Sequence, residues 1–242
     1  MFSYIWHTIF FDPIYNVLVF FIDAIPNGDV GLAIVATVVV VKTLLFPLSV
    51  KAAKTQKLMK ELEPKLKELK EKHKDNREEH AKAMMALYKD AGMNPFASIL
   101  LMFLQLPFII ALYLAVVKGG GVALPGINTE ILYSFIPNPT AVSMQLFDNF
   151  DITAKSLILA LVAGFLQFVV TKLTLPTLPP RDKTAAPNFK TDFAHNMQLQ
   201  MKYVMPVMIV FISYSFSSVI AIYFIVSSIM AIFQEFFIRK HR

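Results

Sequence analysis

VGLAIVATVVVVKTLLFPLSV, residues 30–50, decides the fold, because a run long enough to cross a bilayer carries one charge, Lys42. About 20 apolar residues at a rise of about 1.5 Å span the roughly 30 Å hydrocarbon core as a helix. A cation inside that core costs roughly 2.5–3.5 kcal/mol on insertion scales, so it faces a water-filled cavity or a partner. The competing reading is snorkelling, in which the long stem carries the ammonium to the headgroups. Lys51, which opens the next basic cluster, is about 13 Å further along the helix. Lys42 therefore lies well below that boundary, which favours an interior site.

Working outward, 242 residues with 56% hydrophobic content and a mean hydropathy of +0.56 describe a polytopic helical membrane protein. Cysteine is absent, which excludes disulfides, thiolate zinc sites and thiol catalysis. The placement of charge says more than its sum of +6. No Lys or Arg precedes Lys42, whereas 51–90 holds twelve, followed by Lys118 and Lys155, then Lys172, Arg181, Lys183, Lys190 and Lys202, then Arg239, Lys240 and Arg242. The positive-inside rule places the N-terminus outside and the C-terminus in the cytoplasm, which requires an odd number of spans. The first residues lack a positive n-region, so no cleaved signal is expected.

Residues 1–28 read as a short helix lying in the outer interface. Asp12 would be its N-cap, Pro13 would take the first helical position, and Trp6 and Tyr15 would be its anchors. A buried helix packed on the bundle is the alternative. Pro26-Asn27-Gly28-Asp29 is turn chemistry. The first span is 29–50, and 51–93 reads as a cytoplasmic antiparallel helical hairpin. Leu58, Leu62, Leu66 and Leu69 form one stripe, and Ala81, Met84, Tyr88 and Ala91 the other. Asp75-Asn76-Arg77 makes the turn, with Asn76 capping and Glu79 three residues on. Pro64 kinks the first arm, and Gly92 closes the second. Glu61 with Lys65, Glu63 with Lys67 and Glu68 with Lys72 sit at i,i+4, so much of the charge is a solvated helix surface. Twelve basic against eight acidic residues leave an excess over 51–90 that suits anionic headgroups. An RNA contact stays open but lacks stacking aromatics.

The second span is 94–117, with Gln105 and Pro107 near its middle. An extracytoplasmic loop follows over 118–153, a third span carrying Gln167 over 154–175, and a proline-rich cytoplasmic loop over 176–200. The apolar run 203–233 would be about 46 Å long as one helix, too long for one crossing. Splitting it near 213–218 gives a fourth span over 201–215 and a fifth over 218–238, with 239–242 as a cytoplasmic tail. The expected fold is thus all-α, with five transmembrane helices. No Asp or Glu interrupts the apolar middle of a span to pair with Lys42. Gln105 and Gln167 either line a site or only bond between helices, worth about 0.6 kcal/mol and up to 1–2. No GxSxG, HExxH or Gly-rich phosphate loop occurs, and His73 and His80 have no companion ligands.

A lysine in the first span followed by LLFPL, the stretch MMALYKDAGMNPFASILLMFLQLPFIIALY over 84–113, AGFLQF over 163–168, MKYVMPVMIVF over 201–211 and IYFIVSS over 222–228 occur in that order. In combination they resemble the YidC and Oxa family of membrane protein insertases, from Pro13 onward. The resemblance implies a hydrophilic groove inside five spans, open to cytoplasm and lipid and closed on the far side. It makes Lys42 the groove's cation, Gln105 its second-span glutamine, and Tyr223 and Phe224 its aromatic pair. Gln167 and Ser215, in the serine-rich fourth-to-fifth turn, complete the expected groove set. Lys51, Lys54, Lys57, Met59, Met84 and Met85 form the expected hairpin contact set for lipid and substrate.

The family's usual residue at Lys42 is arginine, so the charge is kept and the bidentate fork lost. Ser217-Ser218 stand where small or proline residues commonly break the fourth and fifth spans. The implied activity is insertion and folding of short or single-span proteins without covalent chemistry, cofactor or metal. Its partners would be nascent membrane proteins and anionic lipids, with a ribosome and a Sec translocon as candidates and no DNA. A minimal bacterial form in the plasma membrane is expected, because the large extracytoplasmic domain of Gram-negative members and the lipoprotein cysteine of many Gram-positive ones are absent. A small-solute transporter or channel is the alternative, though no internal repeat is seen; a non-catalytic assembly scaffold is another.

Overall fold

A computed structural model describes residues 2–73, 76–92, 96–147, 149–174 and 200–240. The expected cytoplasmic loop over 176–199 lies outside the described residues. Helical backbone begins earlier than the sequence suggests. Helix α1 (Phe2–Ile5), a π turn over Trp6–Phe11 and α2 (Asp12–Ala24) run on continuously. Asp12 is therefore not an N-cap: its backbone is already helical (φ −63°, ψ −44°) and its N–H reaches back five residues to the His7 carbonyl. The wider π turn makes room for Pro13, whose ring would otherwise meet the carbonyl of the preceding turn.

The polar residues of this stretch are satisfied by protein. His7 Nδ1 lies 2.9 Å from Asp12 Oδ1. Asn16 Nδ2 donates to the carbonyls of Asp12 and Ile131, and its Oδ1 accepts the Tyr133 N–H. Ser3–Ala24 is long and apolar enough to cross a membrane. Tyr15 is a core residue rather than an interfacial anchor, because it is fully buried and its oxygen accepts the Asn128 N–H at 2.8 Å.

The chain forms two compact units, 1–43 with 107–242, and 44–106. In the first, α2, α3 (Val30–Glu61), α6 (Phe96–Val117) and α9 (Ser218–Lys240) supply one apolar core. Ile14, Tyr15, Leu18, Val19 and Ile22 of α2, and Val30, Ala33, Ile34, Thr37 and Val38 of α3, are buried at helical spacings of three and four. The faces turned away from this core are also apolar: on α7 (Leu157–Thr174), Ile158 is 75% exposed and Phe165 66%. Such continuous apolar surface suits hydrocarbon, not water. Among the described residues four helices are long and apolar enough to cross: Ser3–Ala24, Val30–Thr55, Leu157–Thr174 and Ser218–Ile238; Leu104–Val117 and Lys202–Ser215 are shorter apolar helices.

The run 203–233 divides where its length required. A π turn over Gln200–Val204 leads into α8 (Met205–Ser215), Phe216 is extended (φ −99°, ψ −164°), and α9 begins at Ser218. The Ser218 N–H and hydroxyl both donate to the Ala154 carbonyl, which pins the start of α9 beside the approach to α7. Helix α7 packs on both α8 and α9. Its buried face is made of small residues, Ala160, Ala163 and Gly164, which lets helix backbones approach closely where lipid provides no hydrophobic drive.

The 118–156 segment is an ordered cap on this unit. Strands β1 (Gln145–Leu146) and β2 (Phe150–Asp151) pair antiparallel. The buried Asp29 joins this cap to the start of α3: Oδ1 accepts the Leu32 N–H and Oδ2 the Phe147 N–H, at 2.8 and 2.7 Å. Gly28 has φ +64°, and a Cβ there would strike the Ala141 carbonyl, so only glycine serves.

In the second unit α3 continues past residue 50 to Glu61, through Pro47, and breaks at Leu62. Pro64 then stands in the first turn of α4 (Glu63–Lys72), where its missing N–H costs no hydrogen bond. Helix α5 (Arg77–Asp90) packs on α4. Asn76 Oδ1 accepts the N–H groups of Glu78 and Glu79 as its cap. Gly92, with φ +63°, follows its end.

A side chain at 164 would collide with Val210 and crowd the Pro206 carbonyl. Gly164→Val should therefore destabilise the detergent-solubilised protein by about 1–3 kcal/mol, read as a lowered midpoint of thermal unfolding. Leu161→Val, on an exposed part of the same helix, should leave that midpoint nearly unchanged.

Candidate groove site

Lys42 continues the core stripe of α3, four residues beyond Val38 and eight beyond Ile34. It is half-buried, and among the described residues it has neither a hydrogen bond nor an ion pair. Leu44, about 200° further round the helix, is 72% exposed. The ammonium thus leaves α3 on the side that faces protein, with no carboxylate to answer it.

Gln167 on α7 faces α9, where the Ser228 hydroxyl lies 3.5 Å from its Oε1, a long and weak bond. The neighbouring Ser227 hydroxyl on α9 and the Ser213 hydroxyl on α8 are buried with no hydrogen-bond partner among the described residues. Tyr223 is 4% exposed and meets Phe224 edge-on, with ring centroids 5.6 Å apart. The structure therefore pairs Gln167 with Ser228 and Tyr223 with Phe224, while Lys42 bonds to none of them. Ser215 lies elsewhere, lining a pocket at the α8–α9 turn. Gln105 is half-buried in α6 and belongs to the other compact unit. In the hairpin contact set Lys51, Lys54 and Met85 are exposed and Met84 is half-buried; the side chains of Lys57 and Met59 lie outside those described.

Sequence reasoning missed the buried hydroxyls of Ser213 and Ser227. Serine is common in membrane helices, so nothing in its spacing marks which hydroxyl loses its partner. Among the described residues no group of three or more His, Cys, Asp and Glu could hold a metal ion. A cation, an amide and unsatisfied hydroxyls can solvate a polar guest, and they include no base or nucleophile pair of the kind covalent catalysis uses.

These features define a polytopic α-helical membrane protein with a few polar groups set among apolar helices. The chain belongs to the YidC/Oxa family of membrane protein insertases: the profile of the 60Kd inner membrane protein family matches residues 21–242. The membrane protein insertase YidC of Oceanobacillus iheyensis is 30% identical over 98% of this chain and 84% of its own length. Those of Clostridium acetobutylicum and Fusobacterium nucleatum are 31% and 28% identical, over 93% and 94% of this chain and 79% and 97% of their own lengths. YidC insertases are not catalytic enzymes.

Maleimides react with thiolates, which form in water and not in hydrocarbon. In this cysteine-free chain, a cysteine at 42 should react with a membrane-impermeant maleimide at least about tenfold faster than one at 44. Equal rates would mean that the two faces of α3 see the same solvent.

Proposed function

We propose that this protein inserts short or single-span proteins into the bacterial plasma membrane through a hydrated, cationic groove inside five spans. The observation that carries the reading is Lys42: half-buried, on the core-facing side of α3, and without a bonded partner among the described residues. An ammionium kept at that depth implies water or a guest, because an unsatisfied charge in hydrocarbon is too costly to hold. The N-terminus would lie outside and the C-terminus in the cytoplasm, and the groove would open to the cytoplasm and to lipid.

In this mechanism Lys42 attracts the acidic, polar leading segment of a substrate by charge. Gln105 and Gln167 offer it amide hydrogen bonds, and Tyr223 with Phe224 forms an apolar wall. Each contact lowers the cost of moving peptide groups out of bulk water. The substrate's apolar helix then leaves sideways into lipid, where its burial supplies the driving force. A membrane potential adds about 2.3 kcal/mol per charge per 100 mV. The hairpin, through Lys51, Lys54, Lys57, Met59, Met84 and Met85, would hold headgroups and arriving polypeptide. Ribosome and Sec translocon are the candidate suppliers of that polypeptide.

Reconstituted in liposomes with a single-span substrate carrying an acidic leader, Lys42→Ala and Lys42→Glu should lower insertion about tenfold or more, with Lys42→Arg near the parent. Parental rates in Lys42→Glu would sink the groove mechanism. Independently, removing 55–90 should depress insertion strongly while the thermal unfolding of the remaining helices persists, since 44–106 forms its own compact unit.

A further inference from the structure

At one end of the first unit a pocket of about 410 Å³ opens between the last turns of α6, the approach to α7 and the α8–α9 turn. We propose that it binds the phosphate-bearing headgroup of a membrane lipid, in the leaflet on the side of the 118–156 cap. This site is independent of the groove.

Its position is at the level where the helices leave hydrocarbon. Leu157 and Ile158, at the start of α7, are exposed and apolar, and Lys155 stands just before them on the polar side. Val116, Val117 and Val219 give the pocket apolar walls. The rings of Phe216 and Tyr113 meet edge-on beside it, 5.7 Å between centroids. One cation at the rim of an otherwise apolar cleft matches an amphiphile with an anionic head.

The hydrogen-bonding inventory points to an acceptor-rich ligand. The Ser217 hydroxyl lines the pocket and is buried with no hydrogen-bond partner among the described residues, an arrangement that a ligand oxygen would relieve. Neighbouring polar groups are already committed. The Thr153 hydroxyl and N–H both donate to Asp151 Oδ1, at 2.6 and 2.8 Å. These bonds hold the Asp151 carboxyl below the usual carboxylate range. The Ser218 hydroxyl is spent on the Ala154 carbonyl. What remains among the described groups is the Lys155 ammonium with the hydroxyls of Ser217, Ser215 and Tyr113, all able to donate to a phosphodiester. The apolar walls take the glycerol and first methylenes, a contact that free phosphate cannot make.

The test uses the full chain in vesicles of phosphatidylcholine with 30% phosphatidylglycerol, a fraction of it carrying a photoreactive diazirine near the glycerol. Crosslinks should map to peptides containing 113–117 and 215–219. Lys155→Glu should reduce them about fivefold and Ser217→Ala by a smaller factor, with helical content and melting midpoint retained. Lys42→Ala, which disables the groove, should leave them at the parental level. Excess glycerol 3-phosphate should compete poorly. Crosslinks absent from these peptides, or unchanged in Lys155→Glu, would overturn the proposal. Equal competition by glycerol phosphate would make this a free-phosphate site, and displacement by an acidic peptide a peptide site; either result rejects the lipid.

Discussion

Inside hydrocarbon an unpaired polar group costs several kcal/mol, and the placement of most polar side chains in this chain answers that demand. Thr37, Thr43, Thr171 and Thr174 each donate to the carbonyl four residues back in their own helices. That is the cheapest solution available to a hydroxyl on a helix. Larger groups need partners from elsewhere in the fold. Asn16 uses both ends of its amide on the 131–133 backbone and its own helix, and Asp29 uses both carboxylate oxygens on N–H groups of α3 and the cap.

The cap is therefore more than a connection between α6 and α7. Tyr15, Asn16 and Asp29 reach it from the N-terminal helices, and Ser218 ties the start of α9 to Ala154. Each of these bonds joins residues distant in sequence, so the end of the first unit is closed by polar contacts while its middle is held by apolar packing. Against that background the few unsatisfied groups stand out. Among the described residues the hydroxyls of Ser213, Ser217 and Ser227 are buried without a hydrogen-bond partner, and the half-buried Lys42 has none either. A structure that satisfies Asn16 and Asp29 so fully leaves such exceptions where a ligand or water completes them.

Features encoded within a few residues were legible in the sequence: the Asn76 cap, the Pro64 break, and the division of 203–233, which simple length dictated. The length of the apolar run over 30–50 also placed Lys42 on a membrane helix. What escaped was long-range. Asp12 looked like a helix start because Asp-Pro usually is one; a π turn and the His7 contact 2.9 Å away carry the helix through it instead. Tyr15 looked like an interfacial anchor because its burial depends on Asn128, 113 residues later. Ser215, expected in the groove set from its serine-rich turn, lines the pocket at the α8–α9 turn. Which serine loses its partner is decided by three-dimensional packing alone.

In the groove reading, lysine at 42 has a physical consequence of its own. A guanidinium offers a rigid fork that rewards one carboxylate geometry, whereas an ammonium is a compact point charge on a flexible stem with three rotatable donors. A substrate-binding cation that must serve unrelated sequences gains from the second property: attraction falls off smoothly with distance and depends little on orientation. The same looseness keeps the bound state shallow, so an acidic segment held by Lys42 can leave again when its apolar helix finds lipid. Insertion needs both steps. A guanidinium keeps the charge and shifts the balance between capture and release only modestly, whereas a neutral residue would abolish capture.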